Sequence, residues 1–331
     1  MASSPVVRAD SYIRLRVLVI GCLPLLLAGV FLGDGWQRPW SLLQPERAVI
    51  LEIRLWRVGL GSLAGASLAL AGAILQTVLR NPLAEPYVLG LSAGAGLGSA
   101  LCIVLGGLAL SIWLLPLSGF VGAGLSLLIV YQLARTARGT TPHTLILAGV
   151  VWGSMIGSLL MFLVSQSSAE GLQTVLWWLL GDLQVYDTRW VVVLAVLNGG
   201  AVVALLFHVR ALNALLLGDD GARHLGIAAE IMKVRVLILA TLLAASTVSV
   251  CGIIAFVGLV APHVARALLG ADHRRLLPAS ALLGATFLVW ADGIGRAVLY
   301  PMEVPVGVLT ALVGGPFFLY ILRRRQREVW G

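Results

Sequence analysis

Charge is what this chain has least of. Only 11% of its 331 residues are Asp, Glu, Lys or Arg, while 59% are hydrophobic. A soluble domain carries about 25% charged residues, so most of this chain's surface is not built to face water. Cysteine is scarce as well. Cys22, Cys102 and Cys251 all sit in apolar runs and none has C-x-x-C spacing, which argues against a disulfide framework or a zinc site. There is no G-x-x-x-x-G-K-[ST] loop, so the chain does not hydrolyse ATP by that route, and there is no H-E-x-x-H. The five histidines, His143, His208, His224, His263 and His273, are dispersed and read as structural groups. No acid, base or metal ligands converge, which counts against a membrane enzyme. Acidic groups near the midplane are missing too, which counts against an ion-coupled carrier.

What is present is a series of long charge-free runs. A bilayer core needs roughly 20 apolar residues per helix. Val17–Gly33, Val58–Leu75, Thr144–Ser165, Trp190–Phe207 and Val304–Leu322 come close to or reach that length. Pro86–Tyr131 runs 46 residues without a charge, enough for two spans and a turn. Val236–Pro262 runs 27, long for one span and short for two. The expected fold is an all-α membrane protein, a single transmembrane domain over 1–331 with ten transmembrane helices. The spans fall near 15–33, 58–78, 89–106, 112–134, 144–165, 190–208, 233–249, 252–268, 277–298 and 304–322. The first apolar run lacks an A-x-A cleavage pattern and reads as a retained helix. Placing both termini in the cytoplasm puts 17 of the 23 Lys and Arg inside and six outside. That asymmetry satisfies the positive-inside rule. It also accounts for the net charge of +8 without nucleic acid.

Glycine, at 38 residues, suits close helix packing, as in Gly61-Ser62-Leu63-Ala64-Gly65. Four segments depart from a plain up-down bundle. Glu170–Asp182, with Trp177 and Trp178, reads as an interfacial helix outside. Leu212–Ile227 is amphipathic and inside, Cys251–Pro262 reads as a half-helix or broken helix, and Pro301–Pro305 interrupts the chain before the last span. Asp292 and Arg296 are the exceptional charges within a span, spaced i and i+4 to pair on one face.

Three loops carry the most specific patterns. Arg80-Asn81-Pro82-Leu83-Ala84-Glu85-Pro86-Tyr87-Val88-Leu89-Gly90 reads as a rigid turn between spans, with Asn81 able to cap locally. Leu217-Gly218-Asp219-Asp220-Gly221-Ala222-Arg223-His224-Leu225-Gly226 reads as a short helix bracketed by glycines, acidic first and basic last, as the helix dipole favours. Such a helix either lies on the membrane surface or docks into a partner's groove. Gly252–Arg266 is apolar and Gly-spaced and contains a Pro262-His263 step.

At these segments the chain resembles the iron-chelate and vitamin B12 importer permeases, the membrane subunits of type II ABC importers. Arg80–Gly90 matches their N-P-L-A-[DE]-P loop, Leu217–Gly226 their L-G-x-x-x-A-R-x-L-G helix, and Gly252–His263 their G-x-I-x-F-[IV]-G-L-[IV]-x-P-H segment. Glu303–Phe318 matches their E-[LIV]-P-[IV]-G ending, and the likeness covers essentially everything after residue 15. The resemblance implies a homodimer in the inner membrane, two cytoplasmic ATP-binding subunits that hold ATP and Mg, and a periplasmic binding protein. No cofactor is expected in this chain. The implied coupling helix is about 215–227, with Leu217, Gly218, Asp219, Asp220, Gly221, Ala222, Arg223, Leu225 and Gly226 meeting the ATPase. Asn81–Pro86 and Thr141-Pro142-His143 correspond to cytoplasmic gates. Arg54, Arg57 and Arg296 correspond to outer arginines that meet binding-protein glutamates; lipid phosphate is the alternative contact for each. The implied cargo is a ferric siderophore, haem or cobalamin.

Overall fold

The computed structural model describes residues 5–33, 44, 48–136 and 139–330, with 5–12 and 324–330 as backbone alone. Their order is α1 (Pro5–Ala28), α2 (Ala48–Val78), α3 (Leu91–Val104), α4 (Gly107–Leu110), α5 (Leu114–Ala134), α6 (Pro142–Ser165) and α7 (Ala169–Leu179). There follow α8 (Thr188–Phe207), α9 (Val209–Leu215), α10 (Gly218–His224), α11 (Ala229–Cys251), α12 (Val257–Leu269), α13 (His273–Val298) and α14 (Val306–Trp330). Among the described residues the helical expectation has one small exception, an antiparallel pair of two-residue strands, β1 (Arg135–Thr136) and β2 (Gly139–Thr140).

Among the described residues eight helices are long and apolar enough to cross a membrane: α1, α2, α5, α6, α8, α11, α13 and α14. Helices α3 and α12, where two more spans are expected, have only 14 and 13 residues. At about 1.5 Å per residue each reaches roughly 20 Å, short of a core about 30 Å thick. The missing length lies in irregular backbone. The span expected from 89 begins at Leu91, after the single turn Pro86–Leu89. The span expected from 252 begins at Val257, because α11 continues to Cys251 and residues 252–256 are unwound. Pro262 lies inside α12 and does not break it. The amphipathic segment expected over 212–227 divides into α9 and α10, and the interfacial helix expected over 170–182 is α7.

Helix α2 is the centre of the bundle and packs on α13, α11, α12 and α8. Its small residues allow this. A Cβ on Gly65 would lie 2.2 Å from the Gly284 carbonyl oxygen of α13, and one on Gly72 only 1.8 Å from that of Gly258 in α12. By contrast α1, α6 and α14 leave most of their apolar side chains exposed or only half-buried on the single subunit. A buried polar junction ties three spans together without charge. Asn198 of α8 donates to Ser67 of α2 at 2.8 Å and accepts from Ser246 of α11 at 2.7 Å. Asp272 caps α13 through the Arg274 N–H at 3.1 Å. Burial pushes its carboxyl up, but the hydrogen bonds from Arg274 and Asn213 outweigh that and hold it below the usual range.

Candidate functional site

The quoted loops gather in two places, joined by the length of α2. At the C-terminal end of α2 lie the 80–90 segment, the β1–β2 hairpin, α9 and α10. At its N-terminal end lie Arg54, Arg57, the end of α13 and the turn before α14.

Helix α10 is held by its flanks. Gly218 and Gly226 both have positive φ, +94° and +75°, which ordinary side chains resist. Asp219 and Asp220 occupy the first turn, Arg223 and His224 the last. Ala222 is fully buried against Ala214, Leu215 and Ala229, so it anchors the helix and is not offered to a partner. What faces outward is Leu216, Leu217, Asp220, Arg223, His224, Leu225 and Gly226. Gly221 is half-buried, and a Cβ there would meet only the Leu217 side chain, at 2.7 Å.

The 81–86 loop folds back toward the interior. Asn81 Oδ1 accepts the Leu83 N–H at 3.0 Å, and Ala84 N–H returns to the Asn81 carbonyl at 3.0 Å. Ala84 and Pro86 are buried, while Pro82 and Leu83 are half-buried. The loop ends against the unwound stretch between α11 and α12. Glu85 accepts the N–H of Phe256, which has φ +68° and precedes the first turn of α12. A carboxylate there satisfies an orphan donor and the positive end of the helix dipole. The Tyr87 hydroxyl donates to the Ile254 carbonyl at 2.8 Å and accepts its N–H at 3.1 Å. Two interruptions of regular backbone therefore satisfy one another inside the protein, the condition under which such backbone is tolerated at membrane depth.

Thr141 opens α6 with a reciprocal cap to Thr144, and Pro142 takes the first helical position. Thr141 and His143 are exposed.

At the opposite end the expected outer arginines are mostly enclosed. Arg54 is 4% exposed and donates to the Val30 carbonyl at 3.3 Å. Arg57 forms a fork with Asp292, 2.7 Å from Nη2 to Oδ1, and reaches Glu303 at 2.8 Å. Arg296 is 5% exposed and pairs with Asp292 at 3.0 Å, the i, i+4 contact expected from their spacing. Burial and internal carboxylates thus absorb charge that the sequence alone assigns to a partner. Glu303 is the exposed member, with 40% of its side chain accessible. Among the described residues no group of His, Cys, Asp and Glu could hold a metal ion.

The sequence reading missed Lys233 and Glu230 as partners of α10 and of the hairpin. Their i, i+3 spacing at the start of an apolar span was the available signal. The Tyr87 contact had no signal, because its partner is backbone 167 residues away.

The profile of the FecCD transport family matches residues 18–324. The chain belongs to that family. It is 43% identical over 289 residues to a cobalamin import system permease of Halobacterium salinarum, covering 85% of this chain and 76% of the relative. It is 37% identical over 321 residues to an iron(3+)-hydroxamate import system permease of Bacillus subtilis, covering 95% and 93%. A solved inward-facing structure of a metal-chelate type ABC transporter superposes with a TM-score of 0.83 at 30% identity, covering 93% of this chain and 99% of that one. This FecCD-family chain is a multi-pass membrane protein and a transport permease subunit.

Proposed function

We propose that the chain is the membrane-spanning half of a binding-protein-dependent ABC importer that carries an iron chelate, haem or a ferric siderophore, into the cytoplasm. It works as a pair of identical subunits. Two ATP-binding subunits dock on the cytoplasmic side around α10 and hold the ATP and magnesium, while a periplasmic binding protein delivers the cargo. Helices α3 and α12, each completed by irregular backbone, bring eight long spans to ten crossings, and the distribution of Lys and Arg keeps both termini inside. Leu217, Asp220, Arg223, Leu225 and Gly226 form the face offered to the ATPase, with Gly218, Asp219, Gly221 and Ala222 shaping and anchoring it. Asn81–Pro86 and Thr141–His143 act as the cytoplasmic gates. Arg54, Arg57 and Arg296 brace the docking end, where Arg57 can exchange Glu303 for an acidic side chain of the binding protein.

The observation that carries this reading is a family match along nearly the whole chain, with the irregular loops falling on the family's motifs. Cobalamin is the second reading, favoured by the 43% identity to a cobalamin permease. The test is ATP hydrolysis by the reconstituted complex, stimulated by binding protein loaded with haem, a ferric hydroxamate or cobalamin. Stimulation by an iron chelate supports the proposal, stimulation by cobalamin alone supports the second reading, and none from any cargo contradicts both.

A further inference from the structure

One buried ammonium joins three segments at the α10 end of the bundle. Lys233, in the first turns of α11, is 3% exposed. It donates to the Thr140 carbonyl at 3.0 Å and to Asp219 Oδ2 at 3.1 Å, and pairs with Glu230 one turn earlier. These contacts occupy all three donors that a lysine ammonium has. Each acceptor leads elsewhere. The other oxygen of Asp219 holds Arg80, the residue that opens the 81–86 loop. Glu230 Oε2 accepts from Thr140 twice, from its N–H at 3.3 Å and its hydroxyl at 3.1 Å. Thr140 precedes the Thr141-Pro142-His143 step. The backbone is shaped for this approach: Gly139 has φ +99°, and a Cβ there would sit 2.8 Å from the Glu230 carboxyl carbon.

We propose that Lys233 is a positioning residue that locks α10 to both cytoplasmic loops, so that a push on α10 moves the 81–86 loop through Asp219 and Arg80 and the 141–143 step through Thr140. This rests on the reading of α10 as the ATPase-docking helix. The physical reason is asymmetry of burial. Lys233 is the enclosed partner, its side chain 4% accessible against 33% for Asp219 and 36% for Glu230. Drawing these carboxylates away strands its ammonium, so the segments joined at Lys233 move together, while the Arg80–Asp219 contact, 44% and 33% accessible, is the softer step of the path. The exposed Asp220–Arg223 pair at 3.6 Å is solvated and separates freely. Lys233 thereby connects one short helix to two loops that are far apart in sequence.

The test is the number of cargo molecules imported per ATP hydrolysed by the full complex in liposomes, a ratio that does not depend on the amount of folded protein. Lys233→Met keeps the apolar stem and removes the charge, and the ratio should fall by about tenfold. Lys233→Arg keeps the charge and should hold the ratio within about twofold of wild type. Should Lys233→Met not assemble, Asp219→Asn breaks the same junction from its solvent-accessible side and should lower the ratio likewise. A wild-type ratio in Lys233→Met or Asp219→Asn overturns the proposal, as does a Lys233→Arg variant that loses as much as Lys233→Met. The wild-type complex is run alongside. If it shows no ATP-driven import, the failure is that of the importer reading and not of the junction.

Discussion

At the residue scale, the cluster around Asp292 separates buried from exposed electrostatics within one site. Asp292, with a side chain 6% exposed, is shared by Arg57 and Arg296. Asp292→Asn leaves two enclosed guanidiniums facing a neutral amide and should cost about 3–5 kcal/mol. Glu303→Gln alters a group 40% accessible to water and should cost less than about 1 kcal/mol. Thermal unfolding of the purified variants checks both; equal losses would show that the cluster does not hold this end of the bundle. The Asp292–Arg296 contact was legible from i, i+4 spacing. The enclosure of Arg57 was not, because its partners lie 235 and 246 residues away, and a long separation in sequence leaves no local pattern.

At the element scale, hydrophobic run length located eight long helices and also α3 and α12, but it overran their N-terminal ends, and the break near 252 was marked instead by the Gly and Pro of 251–262. A run reports that backbone is apolar, not that it is helical. Residues 86–89 and 252–256 are apolar enough to extend a span, yet they form a single tight turn and an unwound link. What stabilises them is mutual: Glu85 and Tyr87 on one side, the backbone of Ile254 and Phe256 on the other. Tyr87→Phe removes a donor and an acceptor that serve buried backbone and should destabilise the link by about 1–3 kcal/mol. Hydrogen exchange at 252–257 should accelerate while exchange in the middle of α2 is unchanged. Unaltered exchange at 252–257 would mean that the loop does not hold the break closed. The amphipathic character of 212–227 was legible, and so was the short helix bracketed by Gly218 and Gly226, which is α10 and whose flanking glycines both have positive φ, whereas the separate helix α9 before it left no such mark.

At the scale of the whole molecule, enclosure is uneven. Helix α2 is packed on several sides, whereas α6 and α14 keep apolar faces uncovered, among them Leu147, Val150, Met155, Leu312 and Leu319. The family was readable from motifs in the loops. The routes between those motifs, from α10 through Asp219 and Lys233 to two separate loops, became visible only with the fold. The central claim is that movement of cargo is driven by ATP hydrolysis in a partner and not by an ion gradient. Its most direct test is uptake of a ferric chelate into liposomes holding this chain with or without the ATP-binding subunit, with the loaded binding protein and internal ATP supplied. Accumulation that requires both the ATP-binding subunit and ATP is the expected result. Accumulation by this chain alone, driven by a proton or sodium gradient, would contradict it.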